Sequence, residues 1–282
     1  MSATVEREEL GGQRPGTGAA ERVGRSGLAR YALWQLKDFM RERGFWIAVL
    51  GLIGIWIFEA NYSYDSILEA AAYTRRTGGD WTPPTEAEHF RDGFTTLVAL
   101  GSFIATLIAT HGIVGRDRER GYQRFLFAKP VSVTRYYLQA FAVNGAGLLL
   151  VMAALLGVAS LTFMRAVPAI PVLAYVTTHY VMLGGLVMLL STLVRYDFAV
   201  AAIATLASFP LADLARRSRY ETWALPLSTL LPPAAALGEM LEALKKGVLS
   251  GDALVGAAWM LAYGAACVGA SLFVLRRRSI SA

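Results

Sequence analysis

Charged and apolar residues are most closely mixed in one connection of the chain, residues 117–132. Gly121 can end the helix that continues from the second span. The sequence predicts a short helix after Gly121, and Pro130 ends it. That helix carries two phenylalanines and a leucine beside several charges, a form suited to docking into a groove on a soluble partner. The alternative is a solvated loop at the membrane surface that only enforces topology.

Residues that would support other chemistry are scarce. The sequence has no Gly-Lys pair, so it lacks the phosphate-binding loop G-x-x-x-x-G-K-[ST], and it also lacks H-E-x-x-H. His89, His111 and His179 are the only histidines and lie in different segments, which argues against a three-histidine metal site. Cys267 is the only cysteine and excludes an intramolecular disulfide. We expect no catalytic residue, metal or cofactor in this chain.

A few polar residues lie inside apolar segments. Asn144, Thr178 and His179 are our candidates for a transport pathway, because polar groups within a membrane face a bundle interior or a water-filled cavity. Such groups can also simply bond a neighbouring helix, which is the favoured interpretation for Asn144 and the threonines. A different class of function, an integral membrane enzyme, would need His111, Asn144 and His179 to converge around a buried cavity.

The elements that must position these residues are membrane spans. Hydrophobic residues make up 55% of the 282 residues and charged residues 17%, against about 45–50% and about 25% in ordinary soluble domains. Most apolar residues stand in long runs nearly free of charge, which is typical of a polytopic membrane protein. The pattern excludes a soluble enzyme with one buried core, a disordered chain and a fibrous protein.

We predict an all-α, polytopic integral membrane protein with six transmembrane helices. The transmembrane domain covers 44–282, with spans at about 45–64, 94–114, 136–164, 172–194, 198–212 and 253–275. Residues 1–27 have the composition of a disordered cytoplasmic tail. Residues 28–43 form an amphipathic helix suited to the membrane surface, or alternatively a cytosolic extension of the first span.

The distribution of Lys and Arg sets the orientation of these spans. Basic residues gather before the first span, in 115–135 and after the last span, whereas residues 59–93 hold seven acidic residues against three arginines. Both termini and 115–135 are therefore expected in the cytoplasm, and 213–252 outside. The same topology accounts for the sequence pI near 9.5, so we expect no nucleic-acid partner.

The connection at 117–132 resembles the coupling segment of permease subunits in the type-two exporter branch of ATP-binding cassette (ABC) transporters. The family pattern is roughly [ED]-R-E-x-G-T-L-E-x-L-L-x-x-P-[VI]-S, and its nine-residue step from glycine to proline is kept. The residues that match are Asp117, Arg118, Glu119, Gly121, Pro130, Val131 and Ser132, with Leu126 and Phe127 in place of the leucine pair. The departures are Tyr122, Gln123 and Arg124.

The resemblance implies a permease subunit that pairs with a second copy or a homologue to form an export pathway in the cell membrane, a bacterial inner membrane. Separate cytoplasmic P-loop ATPase subunits, which hold ATP and Mg, would dock on 117–131. An amphipathic or lipid-like substrate suits the apolar spans. A further alternative is a membrane anchor that recruits a soluble ATPase. The expected ATPase-coupling residues are Asp117, Arg118, Glu119, Gly121, Arg124, Phe125, Leu126, Pro130 and Val131.

The last external connection, 213–252, resembles the re-entrant external hairpin that this family places before the last span. Pro233 suits the first turn of a helix and Gly247 its exit, which predicts a helix over 233–246. The alternative is a helix that rests on the outer leaflet. Its apolar face, which would form an external gate, consists of Leu237, Met240, Leu241 and Leu244.

Overall fold

The computed structural model describes residues 30–61, 64–77, 83–114, 132–165, 167–194, 197–215 and 230–280. The described residues form helices and short connections, with no strand among them. The predicted tail 1–27 and the coupling segment 117–131 lie outside these ranges. The helices are α1 (Arg30–Asn61), α2 (Tyr64–Arg76), α3 (Glu86–Thr110), α4 (Val133–Phe163), α5 (Ala169–Leu193), α6 (Asp197–Ala215), α7 (Ala234–Lys246) and α8 (Gly251–Ile280).

Five of these helices, α1, α3, α4, α5 and α8, are long and apolar enough to cross a membrane. They lie at five of the six predicted spans, so the prediction of an all-helical, multi-pass membrane protein is confirmed. Helix α6 occupies the remaining one. It has 19 residues with Pro210 inside it, and its apolar described part, Ala199–Ser208, is shorter than a full span.

The structure adds helix where the sequence indicated a polar connection at 65–93. Helix α2 lies there, and α3 begins at Glu86 rather than at residue 94. A capping box fixes that start: the Glu88 backbone N–H donates to Thr85 Oγ1 at 3.3 Å, and the Thr85 N–H donates to Glu88 Oε2 at 2.8 Å. These bonds satisfy backbone donors that would otherwise have no partner in the first turn.

No break separates the amphipathic segment before the first span from the span itself. Helix α1 is continuous from Arg30, with one π turn at Met40–Gly44. Phe39 is buried against Gly147 of α4, where an added Cβ would lie 2.3 Å from the Phe39 ring. The segment therefore continues the helix of the span and contacts the bundle through Phe39.

Helix α5 is the centre of the bundle and packs against α3, α4, α6, α7 and α8. Its closest partner is α8. An added Cβ at Gly264 would lie 2.2 Å from the carbonyl oxygen of Val181, and one at Gly185 would lie 2.5 Å from that of Gly264. Small residues let the backbones of two membrane helices approach in this way. Ser271 Oγ adds a hydrogen bond to the Met188 carbonyl at 3.1 Å.

Side-chain contacts divide the bundle into two ends. At one end, Arg43 donates to the Ala109 carbonyl at 2.8 Å, and Arg276 Nε donates to Thr134 Oγ1 at 2.8 Å. These contacts bring together the first part of α1, the end of α3, the start of α4 and the end of α8. We call this the 115–131 end, because that connection starts and finishes here.

At the opposite end, Arg165 pairs with Glu86, and Lys245 Nζ lies 3.3 Å from Asp92 Oδ1. Gly247 lies beside Pro168 there. This end therefore collects the start of α3, the connection from α4 to α5 and the end of α7. Connections that the sequence predicts on the same side of the membrane thus lie at the same end of the bundle.

Candidate functional site

The predicted ATPase-coupling residues lie outside the described residues, but both flanks of their segment are defined. Helix α3 ends at Thr110 and is followed by a turn in which Ile113 and Val114 are buried. Helix α4 begins at Val133 after Ser132. The segment is therefore anchored at both ends to helices that pack against α5. The residues concerned are Asp117, Arg118, Glu119, Gly121, Arg124, Phe125, Leu126, Pro130 and Val131.

A polar cavity of about 220 Å³ opens beside these flanks. It lies between the first part of α1, the turn after α3 and the start of α4. Asn144, one of the predicted pathway residues, lines it. The sequence did not single out this cavity, because it depends on how α1 and α4 pack together. Its other polar lining residues include Trp34, Asp38, Glu42, Arg43 and Tyr136.

His179 lies in the centre of the bundle, away from that cavity. Its ring stacks on Tyr175, with centroids 5.4 Å apart, and meets the edge of Phe103 at 6.2 Å. Its side chain is 2% exposed, and neither ring nitrogen has a hydrogen-bond partner among the described residues. A buried polar group without a partner costs free energy, so this position needs an explanation beyond packing.

Thr178 differs from its neighbour. Its hydroxyl donates to the carbonyl oxygens of Ala174 and Tyr175 on the same helix, both at 3.0 Å. Thr110 does the same with the Thr106 carbonyl at 2.7 Å. These hydroxyls are satisfied within their own helices and need neither a ligand nor a neighbouring helix. Of the three predicted pathway residues, His179 alone keeps unused polar atoms at the centre of the bundle.

The predicted external gate forms one buried face of α7. Leu237, Met240 and Leu244 are 5%, 1% and 2% exposed, and Leu241 is half-buried. Helix α7 packs against α3, α5, α6 and α8. A helix that rested on the outer leaflet would not bury this face within the bundle.

The depth of α7 follows from its start. Tyr263 Oη donates to the Leu230 carbonyl at 3.0 Å. Tyr263 stands twelve positions after Gly251, where α8 begins, which is about 18 Å along the helix. The chain therefore lies near mid-bundle at Leu230 and returns to the end opposite 115–131 by Lys246. Helix α7 therefore runs from mid-bundle towards that end; residues 216–229, which would hold the first half of the predicted re-entrant hairpin, lie outside the described residues.

An apolar cavity of about 270 Å³ lies between α1, α3 and α4. Gly101 leaves open space beside it, because an added Cβ there would meet no atom within 4 Å, whereas one at Gly51 would lie 2.4 Å from the Leu155 side chain. The cavity opens between exposed side chains, of which Leu100 is 59% exposed. Lining residues include Leu50, Gly51, Gly54, Leu97, Gly101 and Leu155.

The three polar residues named for the enzyme alternative have different surroundings. His111 is exposed in the turn after α3, Asn144 lines the polar cavity, and His179 is enclosed by aromatic rings. Across the described ranges, no three His, Cys, Asp or Glu side chains are grouped so as to hold a metal ion.

The chain matches no family model, no curated protein and no solved structure. The resemblance to ABC permeases therefore rests on the sequence alone, chiefly on the residues of 117–132.

Proposed function

We propose that this chain is the membrane-spanning permease subunit of an ABC exporter in the cell membrane, driven by separate cytoplasmic ATPase subunits. The observation that carries the proposal is the 117–132 segment, whose charged start and Pro-Val-Ser end follow the coupling pattern of that family. Its position supports the same function, because it joins the ends of two helices that both pack on the central helix α5. Motion of the segment would reach the centre of the bundle through α3 and α4.

Six spans with cytoplasmic termini complete the proposal. Helix α6 follows α5 after a three-residue connection and contacts α7. Its 19 residues extend about 28 Å along the helix axis, close to the thickness of the hydrocarbon core. Both termini and 115–131 then lie on the side where Lys and Arg dominate, as the positive-inside rule requires.

In the proposed mechanism, ATP and Mg bound by the partner subunits close the ATPase dimer and shift the coupling segment. Helices α3 and α4 carry that shift to α5, which α7 covers from the opposite end. The buried face of α7 keeps the outer half closed until α5 moves. A second permease copy or a homologue supplies the other wall of the pathway, and an amphipathic or lipid-like substrate suits its mostly apolar lining.

The test is to break the docking contact without touching the spans. Phe125→Ala combined with Leu126→Ala removes the apolar side chains of the segment, and truncating interface hot spots costs about 2 kcal/mol or more, roughly thirtyfold in affinity. Tagged protein purified from its native membranes should then lose the co-purifying P-loop ATPase and its substrate-stimulated ATP hydrolysis, while the yield stays normal.

The matched control is Leu161→Ala with Met164→Ala, which removes two exposed apolar side chains at the opposite end of the bundle, 76% and 87% exposed. This control should retain the ATPase. If the Phe125/Leu126 variant also retains both the ATPase and its hydrolysis, the segment is a topological loop and the permease assignment fails.

A further inference from the structure

The polar and apolar cavities are stacked along one helix. The polar cavity reaches Arg43 of α1 and the apolar cavity begins at Ile47, one helical turn further into the span. The turn after α3 contributes Ile113 to the first, and α3 itself contributes Ile108 to the second. Helices α1 and α4 line both cavities. In order along α1, the lining of the two cavities changes from charged to apolar, and the hydrogen bond from Arg43 to the Ala109 carbonyl lies between them.

The chemistry of the polar cavity is ordered along α1. Furthest from the span, the rings of Tyr31 and Trp34 stack with centroids 6.3 Å apart and lie one turn from the exposed carboxylate of Asp38. Aromatic faces beside a carboxylate attract an ammonium group. Closer to the span, Arg43 lines the cavity beside the Glu42 carboxylate. Its planar guanidinium has five N–H donors, of which one bonds the Ala109 carbonyl, and such donors suit a phosphate. Asn144 adds a neutral amide nearby.

We infer that the two cavities together form one binding site for a phospholipid whose head group carries an ammonium beside its phosphate. The ammonium lies at Trp34 and Asp38, the phosphate at Arg43, and an acyl chain in the apolar cavity. That order, from ammonium through phosphate to hydrocarbon, is the order of the groups in such a lipid. The inference does not depend on an ATPase partner, because every residue that carries it belongs to the described bundle.

The site discriminates by charge at one end and by space at the other. Lipids with an uncharged glycerol head group lack the cation for Asp38, so they should bind less tightly than lipids with ethanolamine. The acyl chain needs the open volume at Gly101, where an added Cβ would meet no atom within 4 Å. A leucine there fills the cavity without a clash against the backbone.

The experiment measures lipid retained by the full chain purified in mild detergent, using native mass spectrometry with equimolar dioleoyl phosphatidylethanolamine and dioleoyl phosphatidylglycerol. Wild-type protein should retain one ethanolamine lipid per chain in preference to the glycerol lipid. Asp38→Asn should lower that preference about fivefold, the effect of losing one exposed charge contact. Asp252→Asn, an exposed aspartate at the opposite end, is the control and should leave the preference unchanged.

A second pair of variants tests the acyl part. Gly101→Leu should abolish retention of both lipids, whereas Gly157→Leu should not, because Gly157 lies outside the cavity and its added Cβ also meets no atom. Equal retention in the two glycine variants, or equal retention of the two lipids by wild type, would overturn the site. Soluble glycerophosphoethanolamine is added as a competitor, and displacement of the lipid at equal concentration would show that a free head group is the ligand instead.

Discussion

Helices α1 and α5 have the same mean hydropathy over their most apolar windows, yet they occupy opposite positions in the bundle. Of the α5 window, 72% is buried inside the protein, whereas only 17% of the α1 window is. Helix α5 presents glycines and polar residues to its neighbours, and α1 presents tryptophans to its surroundings, with Trp56 71% exposed. Hydropathy therefore identifies a membrane helix but does not place it at the centre or at the edge.

The difference has a physical origin in what each helix contacts. Lipid tails are as apolar as leucine, so burial of apolar area gives membrane helices little reason to associate, and close backbone packing takes over. Helix α5 achieves such packing through Gly185 against Gly264 of α8. Helix α1 also approaches its neighbours at glycines, but there the contact is a flexible side chain rather than a backbone, since an added Cβ at Gly51 would lie 2.4 Å from the Leu155 side chain. The same residue type allows backbone contact in one interface and side-chain contact in the other.

The largest expected effect comes from blocking the closest approach of α5 and α8. Gly264→Leu would place side-chain atoms against the Val181 backbone, and a clash with backbone should cost well above the roughly 1–3 kcal/mol of ordinary core overpacking. The backbone cannot give way as a flexible side chain would, so folded protein should be largely lost, as measured by fluorescence-detected size exclusion. Gly269→Leu on the same helix is the control, since its added Cβ meets no atom. Equal yields of the two variants would contradict the central position of α5.

A smaller effect of the opposite sign is expected at His179. Replacing it by leucine removes a buried group that lacks a hydrogen-bond partner among the described residues and should stabilise the chain by about 1 kcal/mol. The measurement is the midpoint of thermal unfolding in detergent, beside Thr178→Val as a neighbouring control. A lower midpoint for His179→Leu would show that the imidazole has a partner in the working protein, and its place in the pathway would gain direct support.

The smallest effect is expected on α1. Trp56→Ala removes a large side chain that faces outward, so the stability of the isolated chain should change by about 0.5 kcal/mol or less. Leu183→Ala on α5, whose side chain is fully buried, should cost about 2–5 kcal/mol in the same assay. A loss for Trp56→Ala that grows with protein concentration would place α1 in an interface between two permease subunits rather than against lipid.

Long apolar runs were sufficient to predict the five spanning helices and the multi-pass character, because a run of that length has few other stable environments. The helix at 234–246 was also predictable, since proline and glycine mark its two ends. The early start of α3 was missed, although Thr85 and Glu88 have the spacing of a capping box. Its first turns read as loop because they are polar and lie outside the apolar run.

The sites were harder to predict than the spans for a different reason. The sequence places Asn144 and His179 inside spans. Asn144 lines a cavity only because α1 packs on α4, and His179 is enclosed by aromatic rings only because α3 brings Phe103 against it. The sequence did not mark Asp38 or Trp34 as site residues. A charged residue on an amphipathic helix is usually solvated, and an aromatic one usually packs on its surroundings. Contacts between elements distant in the chain leave no trace in a single sequence.

The π turn at Met40–Gly44 sets the angular phase of α1. In an unbroken α-helix, each residue advances about 100°, and the residues that line the polar cavity would point roughly 130° away from those that line the apolar cavity. A π turn adds one residue to the helix, which turns the later part back by about 100° and brings the two rows to the same side. The two halves of α1 are therefore offset by one residue at the π turn. The length of that turn decides whether the residues that line the polar cavity and those that line the apolar cavity lie on the same side of the helix.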